Sequence, residues 1–111
     1  MRKVDVRYTL LLDYYGGLLP QKQYELANLY YNDDLSLSEI AQELSITRQG
    51  ALDGLSRAES ALVSFDEALG LIEKDKAVRS AVEEILCEAE KLGKDSADRI
   101  RKACEIIVPK G

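Results

Sequence analysis

The sequence predicts an all-α fold built around a helix-turn-helix. Proline occurs only at positions 20 and 109, no apolar/polar alternation long enough for a strand is present, and most glycines fall where helices should stop. Residues 36–59, SLSEIAQELSITRQGALDGLSRAE, have the layout of two helices joined by a tight turn. A chain of 111 residues suits one modest core, so we predict a single domain over residues 1–111.

The first two helices are bounded by glycine and proline. The first is expected over residues 4–15, ends at Gly16-Gly17, and has apolar positions at Leu11, Leu12 and Tyr15. Pro20 suits the first turn of a second helix, residues 20–31, because its missing N–H costs nothing there. The inward face of that helix is expected at Leu26, Leu29 and Tyr30. All six tyrosines fall within the first 31 residues, where core or interface packing is favoured over stacking on single-stranded bases.

The third helix and the turn after it carry matching capping signals. Ser36 and Glu39 fit a capping box, in which each side chain takes the backbone N–H of the other residue. A buried stripe is expected at Ile40, Ala41 and Leu44. The turn is Ser45-Ile46, with Ile46 filling the space between the helices, and Thr47 is a sound N-cap for the next helix. The helix-turn-helix core is therefore predicted over residues 18–63.

The fourth helix is predicted to be long, over residues 48–73. Its apolar residues recur at alternating spacings of four and three: Ala51, Leu55, Ala58, Leu62, Phe65, Leu69 and Ile72. This register places Leu55, Leu62 and Phe65 among the best-buried residues and leaves Leu52 outside the stripe.

A C-terminal helical extension, residues 74–111, is predicted to hold two more helices near residues 76–92 and 96–107. Gly93 separates them, and Asp95 or Ser96 would cap the last one. Their stripes are Val78, Val82, Ile85, Ala89 and Leu92 in the first, and Ala97, Ile100, Cys104 and Ile107 in the second. The apolar stripes of the fourth helix and of these two helices together present more apolar surface than a monomer of this size readily buries. We therefore expect a homodimer centred on the fourth helix or the C-terminal helices.

Composition argues against an enzyme, a metal centre and a membrane span. The chain has no histidine, which removes the usual zinc ligand and the commonest general base, and it has no glycine-rich phosphate loop. Cys87 and Cys104 are not a CxxC pair and fall within apolar helical stripes. No apolar run reaches the ~18–20 residues of a membrane span, and the N-terminus is a poor signal peptide. We therefore expect a cytoplasmic protein without enzymatic activity, cofactor or metal.

Residues 18–62, LLPQKQYELANLYYNDDLSLSEIAQELSITRQGALDGLSRAESAL, resemble the YlxM-like family of small bacterial helix-turn-helix proteins. The stretches that carry the resemblance are LLDYYGGLLPQKQ, YYNDDLSLSEIA and TRQGALDGLSRAE, and it extends to about Lys74. The same region is more distantly similar to region 4 of sigma factors. The resemblance implies an all-α, dimeric, DNA-binding or regulatory protein that is linked to the signal recognition particle pathway and has no catalytic residues.

The candidate DNA contacts lie mainly at the start of the fourth helix. The positions that match the family are Thr47, Arg48, Gln49, Asp53 and Arg57; Ser56 shares the outward faces, and Lys22 is a candidate phosphate contact. Arg48 would pair with guanine and Gln49 with adenine. Asp53 would accept from cytosine, pair with Arg57 at i+4, or repel phosphates. The alternative is that all of these are simply solvated helix residues.

The charge of this region disfavours tight DNA binding. Residues 32–63 carry two basic and six acidic side chains, a net charge of −4, and the whole chain has −5. Further cations lie at Arg2, Lys3 and Arg7, whereas the acidic positions Asp33, Asp34, Glu39 and Glu43 suit a basic partner. Two hypotheses follow: a regulatory DNA-binding dimer of modest affinity, or a non-enzymatic protein-binding adaptor associated with the signal recognition particle or the transcription machinery.

Overall fold

The structure is a computed structural model that describes residues 6–109. Six α-helices follow one another: α1 (Val6–Tyr15), α2 (Gln21–Tyr31), α3 (Leu37–Leu44), α4 (Arg48–Leu69), α5 (Leu71–Ala89) and α6 (Lys94–Ile107). A short 3-10 turn, Gly16–Leu18, follows α1. No strand occurs in the described residues, and the predicted all-α class is confirmed. The chain divides into two compact units, the first ending at Gly70 and the second beginning at Leu71; a single domain stays a prediction.

The first unit packs α1, α2 and α3 around α4. The inward face of α4 is the predicted one, and its buried residues are Ala51, Leu55, Ala58 and Leu62. The predicted positions of α1 are also buried: Leu11, Leu12 and Tyr15. Residues at spacings of three and four share one face of a helix. The buried side chains of α1 and α4 therefore lie on the faces that pack against neighbouring helices.

Two tyrosine–carboxylate hydrogen bonds attach α1 and α2 to α4. Tyr15 Oη donates to Asp66 Oδ1 at 2.7 Å, and Tyr31 Oη donates to the Glu59 carboxylate. The rings of Tyr8 and Tyr30 lie against Tyr31, with centroids 5.8 Å and 5.0 Å away. Tyr15 and Tyr31 are both buried, so these two tyrosines pack in the core, as predicted. Tyr31 was not among the expected core positions of α2.

The fourth helix is shorter than predicted. It ends at Leu69, and Gly70 is its C-cap with φ 59° in the left-handed region. Glycine adopts this conformation without the steric cost of a Cβ, so it stops helices readily. Ile72 therefore belongs to α5, and the apolar stripe from Ala51 to Ile72 does not run along one helix. Phe65 is half-buried rather than among the best-buried residues.

The second unit is a helical hairpin of α5 and α6. Its buried side chains are few and small: Val82, Ala89, Ala97 and Cys104. Three residues of the predicted stripes, Ile85, Leu92 and Ile107, are instead 46%, 53% and 56% exposed, because two helices cover only one side of each other. Cys87 is also exposed, contrary to its expected place in an apolar stripe.

Several predicted helix ends shift by a few residues. Pro20 is the N-cap of α2 rather than part of its first turn. α5 begins at Leu71, five residues earlier than expected, since Gly70 ends α4. α6 begins at Lys94 with Gly93 at its N-cap, so neither Asp95 nor Ser96 caps it. Residues 4 and 5 of the predicted first helix lie outside the described residues.

Candidate nucleic-acid interface

The start of α3 is fixed by the predicted capping box. The Ser36 backbone N–H donates to Glu39 Oε1 at 2.9 Å, and the Glu39 N–H donates to Ser36 Oγ at 3.1 Å. These two bonds satisfy donors that the helix itself leaves open. The residue at which α3 begins is therefore specified by local sequence.

The turn between α3 and α4 is set by Ser45, which takes the left-handed conformation (φ 55°). The Ile46 N–H donates back to the Ala41 carbonyl at 2.9 Å, which closes the turn. Thr47 Oγ1 then accepts from the Gly50 N–H at 2.9 Å, so the predicted N-cap is confirmed. Ile46 is 40% exposed, so the side chain predicted to fill the space between the helices is not a fully buried one.

Packing beneath the turn holds α2, α3 and α4 in one arrangement. Leu26, Ile40 and Ala51, one from each helix, form a buried cluster. Gly54 allows α2 a close approach, since a Cβ at this position would lie 2.4 Å from Leu26 Cδ1. Partly buried side chains surround the cluster, among them Leu29, Leu44 and Tyr30. The helix-turn-helix is therefore held by close packing of side chains from all three helices.

The structure brings most of the predicted contact residues together on the exposed surface of α4. Those at its start and along its first three turns are Arg48, Gln49, Asp53, Ser56 and Arg57, directly after the N-cap Thr47. Leu52 lies among them and is exposed, as the predicted register requires. Lys22 is exposed on a different helix, in the first turn of α2.

Gln49 and Asp53 are joined by a hydrogen bond. Gln49 Nε2 donates to Asp53 Oδ1 at 2.9 Å, so the partner of Asp53 on the helix is Gln49 and not Arg57, the partner named in one of the three alternatives above. Residues four apart share one helix face, and the amide N–H of Gln49 reaches the carboxylate from the N-terminal side. The amide that would read adenine is thus held along the helix surface. Asp53 has a possible i, i+4 partner on each side, Gln49 and Arg57, so the spacing signals a pair without selecting between them.

A depression of about 220 Å³ lies beside Arg48. Its lining also includes Tyr30, Ser36, Leu37 and Ser38. Leu37 and Ser38 are the first two residues of α3, so the depression combines a helix N-terminus with a guanidinium. Both features favour an anion. That Tyr30 and Ser38 share a site with Arg48 could not be predicted from the sequence, because the path of the α2–α3 loop brings them together.

The surroundings of this site are acidic. Residues 6–70 hold four basic and ten acidic side chains, a net charge of −6. Such an excess repels phosphate at a distance, and salt screens it only in part. Positive charge is therefore confined to a few positions, of which Arg48 is the one beside the start of α3.

The described residues contain neither a metal-binding group nor a membrane span. No group of three or more His, Cys, Asp or Glu side chains in residues 6–109 is placed to hold a metal ion. No helix in the same range is long and apolar enough to cross a bilayer.

The relationship to known proteins is clear from sequence. Residues 3–103 match the family described as "Putative helix-turn-helix protein, YlxM / p13 like". The chain belongs to this family, UPF0122. The predicted resemblance is confirmed, and the match continues past Lys74 through most of the α5–α6 hairpin.

Individual UPF0122 proteins are closely similar. One from Thermoanaerobacter sp. strain X514 is 47% identical over 99 residues, which cover 89% of this chain and 72% of that protein. One from Caldanaerobacter subterraneus subsp. tengcongensis is 47% identical over 77 residues, covering 69% of this chain and 66% of the relative. One from Desulforamulus reducens is 48% identical over 68 residues, covering 61% and 58%.

Proposed function

We propose that this UPF0122 protein is a regulatory DNA-binding protein that acts as a cytoplasmic homodimer. The observation that carries the proposal is the capped, exposed start of α4, where Arg48 stands beside the N-terminus of α3. In a helix-turn-helix, the N-terminal residues of the second helix enter the major groove first. No metal or cofactor is needed for this role.

Arg48 is the proposed base-reading residue. A guanidinium donates two parallel hydrogen bonds to guanine O6 and N7, and Arg48 projects from the first turn of α4. The partial positive charge at the N-terminus of α3, next to Arg48, is proposed to favour a phosphate there. We propose that the same surface contacts the phosphate backbone of DNA through Thr47, Ser56 and Arg57. Lys22 contributes a further phosphate contact from α2.

Affinity is proposed to be modest because two carboxylate effects oppose binding. Asp53 holds Gln49 in a hydrogen bond that must break before Gln49 reaches a base. The net charge of −6 over residues 6–70 also leaves few cations to displace counterions from DNA. A shallow dependence of affinity on salt is therefore expected, compared with DNA-binding dimers that carry many phosphate contacts.

The experiment is a titration of duplexes selected from a random pool, and of scrambled duplexes, at several salt concentrations. Arg48→Ala should cost about 1–3 kcal/mol and relax preference at one base position. Lys22→Ala should weaken all sequences alike and lower the salt slope by about one. Arg79→Ala, on α5 outside the helix-turn-helix, is the matched control. Equal binding of both duplexes, unchanged by Arg48→Ala, would overturn sequence-specific readout.

The acidic surface supports a second candidate function, a protein-binding adaptor in the signal recognition particle pathway or in transcription. Asp33, Asp34, Glu39 and Glu43 are all exposed on or beside α3. Such a surface complements a basic protein or a basic RNA-bound complex. Binding to a purified signal recognition particle, lost in the double variant Asp33→Lys/Glu43→Lys and kept in Arg48→Ala, would favour the adaptor over the DNA-binding protein.

A further inference from the structure

Leu52 is the apolar member of the proposed DNA-binding surface. The exposed side chains of residues 48–57 are Arg48, Gln49, Leu52, Asp53, Ser56 and Arg57. Leu52 is 37% exposed and is not among the buried residues of α4, which are Ala51, Leu55, Ala58 and Leu62. It therefore adds an apolar group to a surface whose other exposed side chains are polar or charged.

The position of Leu52 on α4 places it beside the proposed base-reading residue. Residues four apart are neighbours on the surface of a helix, so Leu52 lies one turn after Arg48 on the same side. Four residues advance the helix by ~6 Å, whereas base pairs of duplex DNA are spaced ~3.4 Å apart. With Arg48 on a guanine in the major groove, Leu52 faces the edge of a base pair about one or two steps away.

The major groove offers an apolar side chain one chemically matched partner. The base edges there present hydrogen-bond donors and acceptors, and the C5-methyl group of thymine is the apolar exception. A leucine placed against the other groups displaces their water without replacing its hydrogen bonds, which is unfavourable. Against a methyl group, both partners remove apolar surface from water, which is favourable. A leucine in this position therefore selects thymine.

We propose that Leu52 reads the C5-methyl group of a thymine about one or two base pairs from the guanine bound by Arg48. This inference rests on the proposed DNA-binding function and names a further base that the same surface selects. The contact breaks no hydrogen bond within the protein, whereas Gln49 must first leave Asp53. It also adds base preference without another cation, in a unit that has few.

The test replaces each thymine of a selected duplex, one at a time, by deoxyuridine, which lacks only the C5-methyl group. Wild type should bind one of these duplexes about fourfold more weakly, because one methyl group is no longer buried. The sensitive thymine should lie within about two base pairs of the guanine whose preference Arg48→Ala relaxes. Fluorescence anisotropy measures each affinity. The fourfold ratio should be the same at low and at high salt, since no phosphate contact changes.

Leu52→Ala removes the protein side of the same contact. This variant should bind the thymine duplex about as weakly as wild type binds a duplex with uracil at the sensitive position of both half-sites, and uracil should cause it no further loss. Leu69→Ala is the matched control, because Leu69 is 53% exposed and lies on the same helix ~25 Å further along. It should distinguish thymine from uracil as wild type does. Far-ultraviolet circular dichroism confirms that both variants remain helical.

The outcomes separate the thymine contact from DNA binding itself. Equal binding of selected and scrambled duplexes would overturn the DNA-binding function, and the thymine contact with it. Preference for a selected duplex that has no thymine near the guanine, or that tolerates uracil at every position, would overturn the contact by Leu52 alone. A uracil deficit that persists in Leu52→Ala would also overturn it, since the methyl group would then act through DNA shape or another residue.

Discussion

The two units of this protein are both helical, but they differ in how far their large apolar side chains are buried. In the first unit, three helices surround α4 and bury large side chains such as Tyr15, Leu11 and Leu62 completely. In the second unit, two helices bury mainly alanine, valine and cysteine, and leave Ile85 and Leu92 exposed. The comparison teaches that helical periodicity identifies an apolar face, whereas the number of neighbouring helices decides whether that face is covered.

Charge divides the chain along the same boundary. Residues 6–70 have four basic and ten acidic side chains, whereas residues 71–109 have eight basic and nine acidic ones. The predicted DNA-binding unit is therefore the more acidic of the two. Because the first unit is strongly acidic, its attraction to phosphate depends on the few cations beside α4.

The largest difference between the units should appear on truncation of a core leucine. Leu62 on α4 is fully buried, so Leu62→Ala should lower the free energy of unfolding by roughly 2–5 kcal/mol. Leu52→Ala on the same helix should cost less than about 1 kcal/mol, since Leu52 is 37% exposed. Urea unfolding followed by circular dichroism measures both. A loss below 1 kcal/mol for Leu62→Ala would contradict the register of α4.

A smaller effect is expected from the tyrosine–carboxylate bond between α2 and α4. Tyr31→Phe removes the donor to Glu59 and leaves a half-buried carboxylate without it, which should cost about 1–3 kcal/mol. The hairpin has no tyrosine–carboxylate bond to compare with it, since all six tyrosines lie before residue 32. Urea midpoints at pH 8 provide the measurement, and an unchanged midpoint would show that water replaces the bond.

The same pair predicts a loss of stability in alkali. Burial raises the pKa of the Tyr31 phenol, and its hydrogen bond to Glu59 raises it further. The folded state thus favours the neutral phenol. The Tyr31 phenol therefore contributes its full stabilisation of the fold below the unfolded pKa of about 10, and this stabilisation falls above that pKa by up to ~1.4 kcal/mol per pH unit. The difference between wild type and Tyr31→Phe should shrink from pH 9.5 to pH 11. A constant difference would contradict the assigned cause.

In the proposed DNA-binding surface, Asp53→Asn should tighten binding. The change removes a carboxylate close to the phosphates and weakens its hold on Gln49, a gain on the order of 1 kcal/mol or about fivefold at low salt. Glu67→Gln, an equally conservative change at an exposed position late in α4, is the control. Fluorescence anisotropy with a selected duplex measures both. Equal gains from the two variants would point to net charge rather than to the Gln49–Asp53 pair.

The smallest effect is expected on the opening of the hairpin when the core of the first unit is weakened. In a Cys87→Ser background, the buried Cys104 reports opening of the hairpin through its rate of labelling by a thiol reagent. Because the hairpin core does not include α4 residues, Leu62→Ala should change this rate by less than about twofold in the absence of denaturant. A rate that rises in step with the loss of global stability would show that the two units unfold together.

The local features of the helix-turn-helix were predictable from sequence. The capping box of Ser36 and Glu39 and the N-cap Thr47 depend on bonds between residues three apart, and such bonds need only the right residue types at the right spacing. The burial of Leu11, Leu55 and Leu62 followed from helical periodicity, because one face of each of these helices is apolar.

The candidate site was predictable only residue by residue. Arg48 and Gln49 were found from their place at the start of α4, but the bond between Gln49 and Asp53 and the depression shared by Arg48, Tyr30 and Ser38 were not. Side-chain partners depend on rotamers, and the depression depends on how the α2–α3 loop turns. Neither is encoded in a residue's own identity.

The sequence by itself determined the helical class, the caps of the helix-turn-helix and the inward face of α4, because hydrogen bonds and periodicity over three or four residues suffice for these. The tertiary structure alone decided the end of α4 and the exposure of the hairpin. Gly70 tolerates both a helical and a left-handed conformation, so its residue type alone does not select between them. Likewise, the stripe through Ile85 and Leu92 is apolar in any fold, and what lies against it depends on which helices are present to cover it.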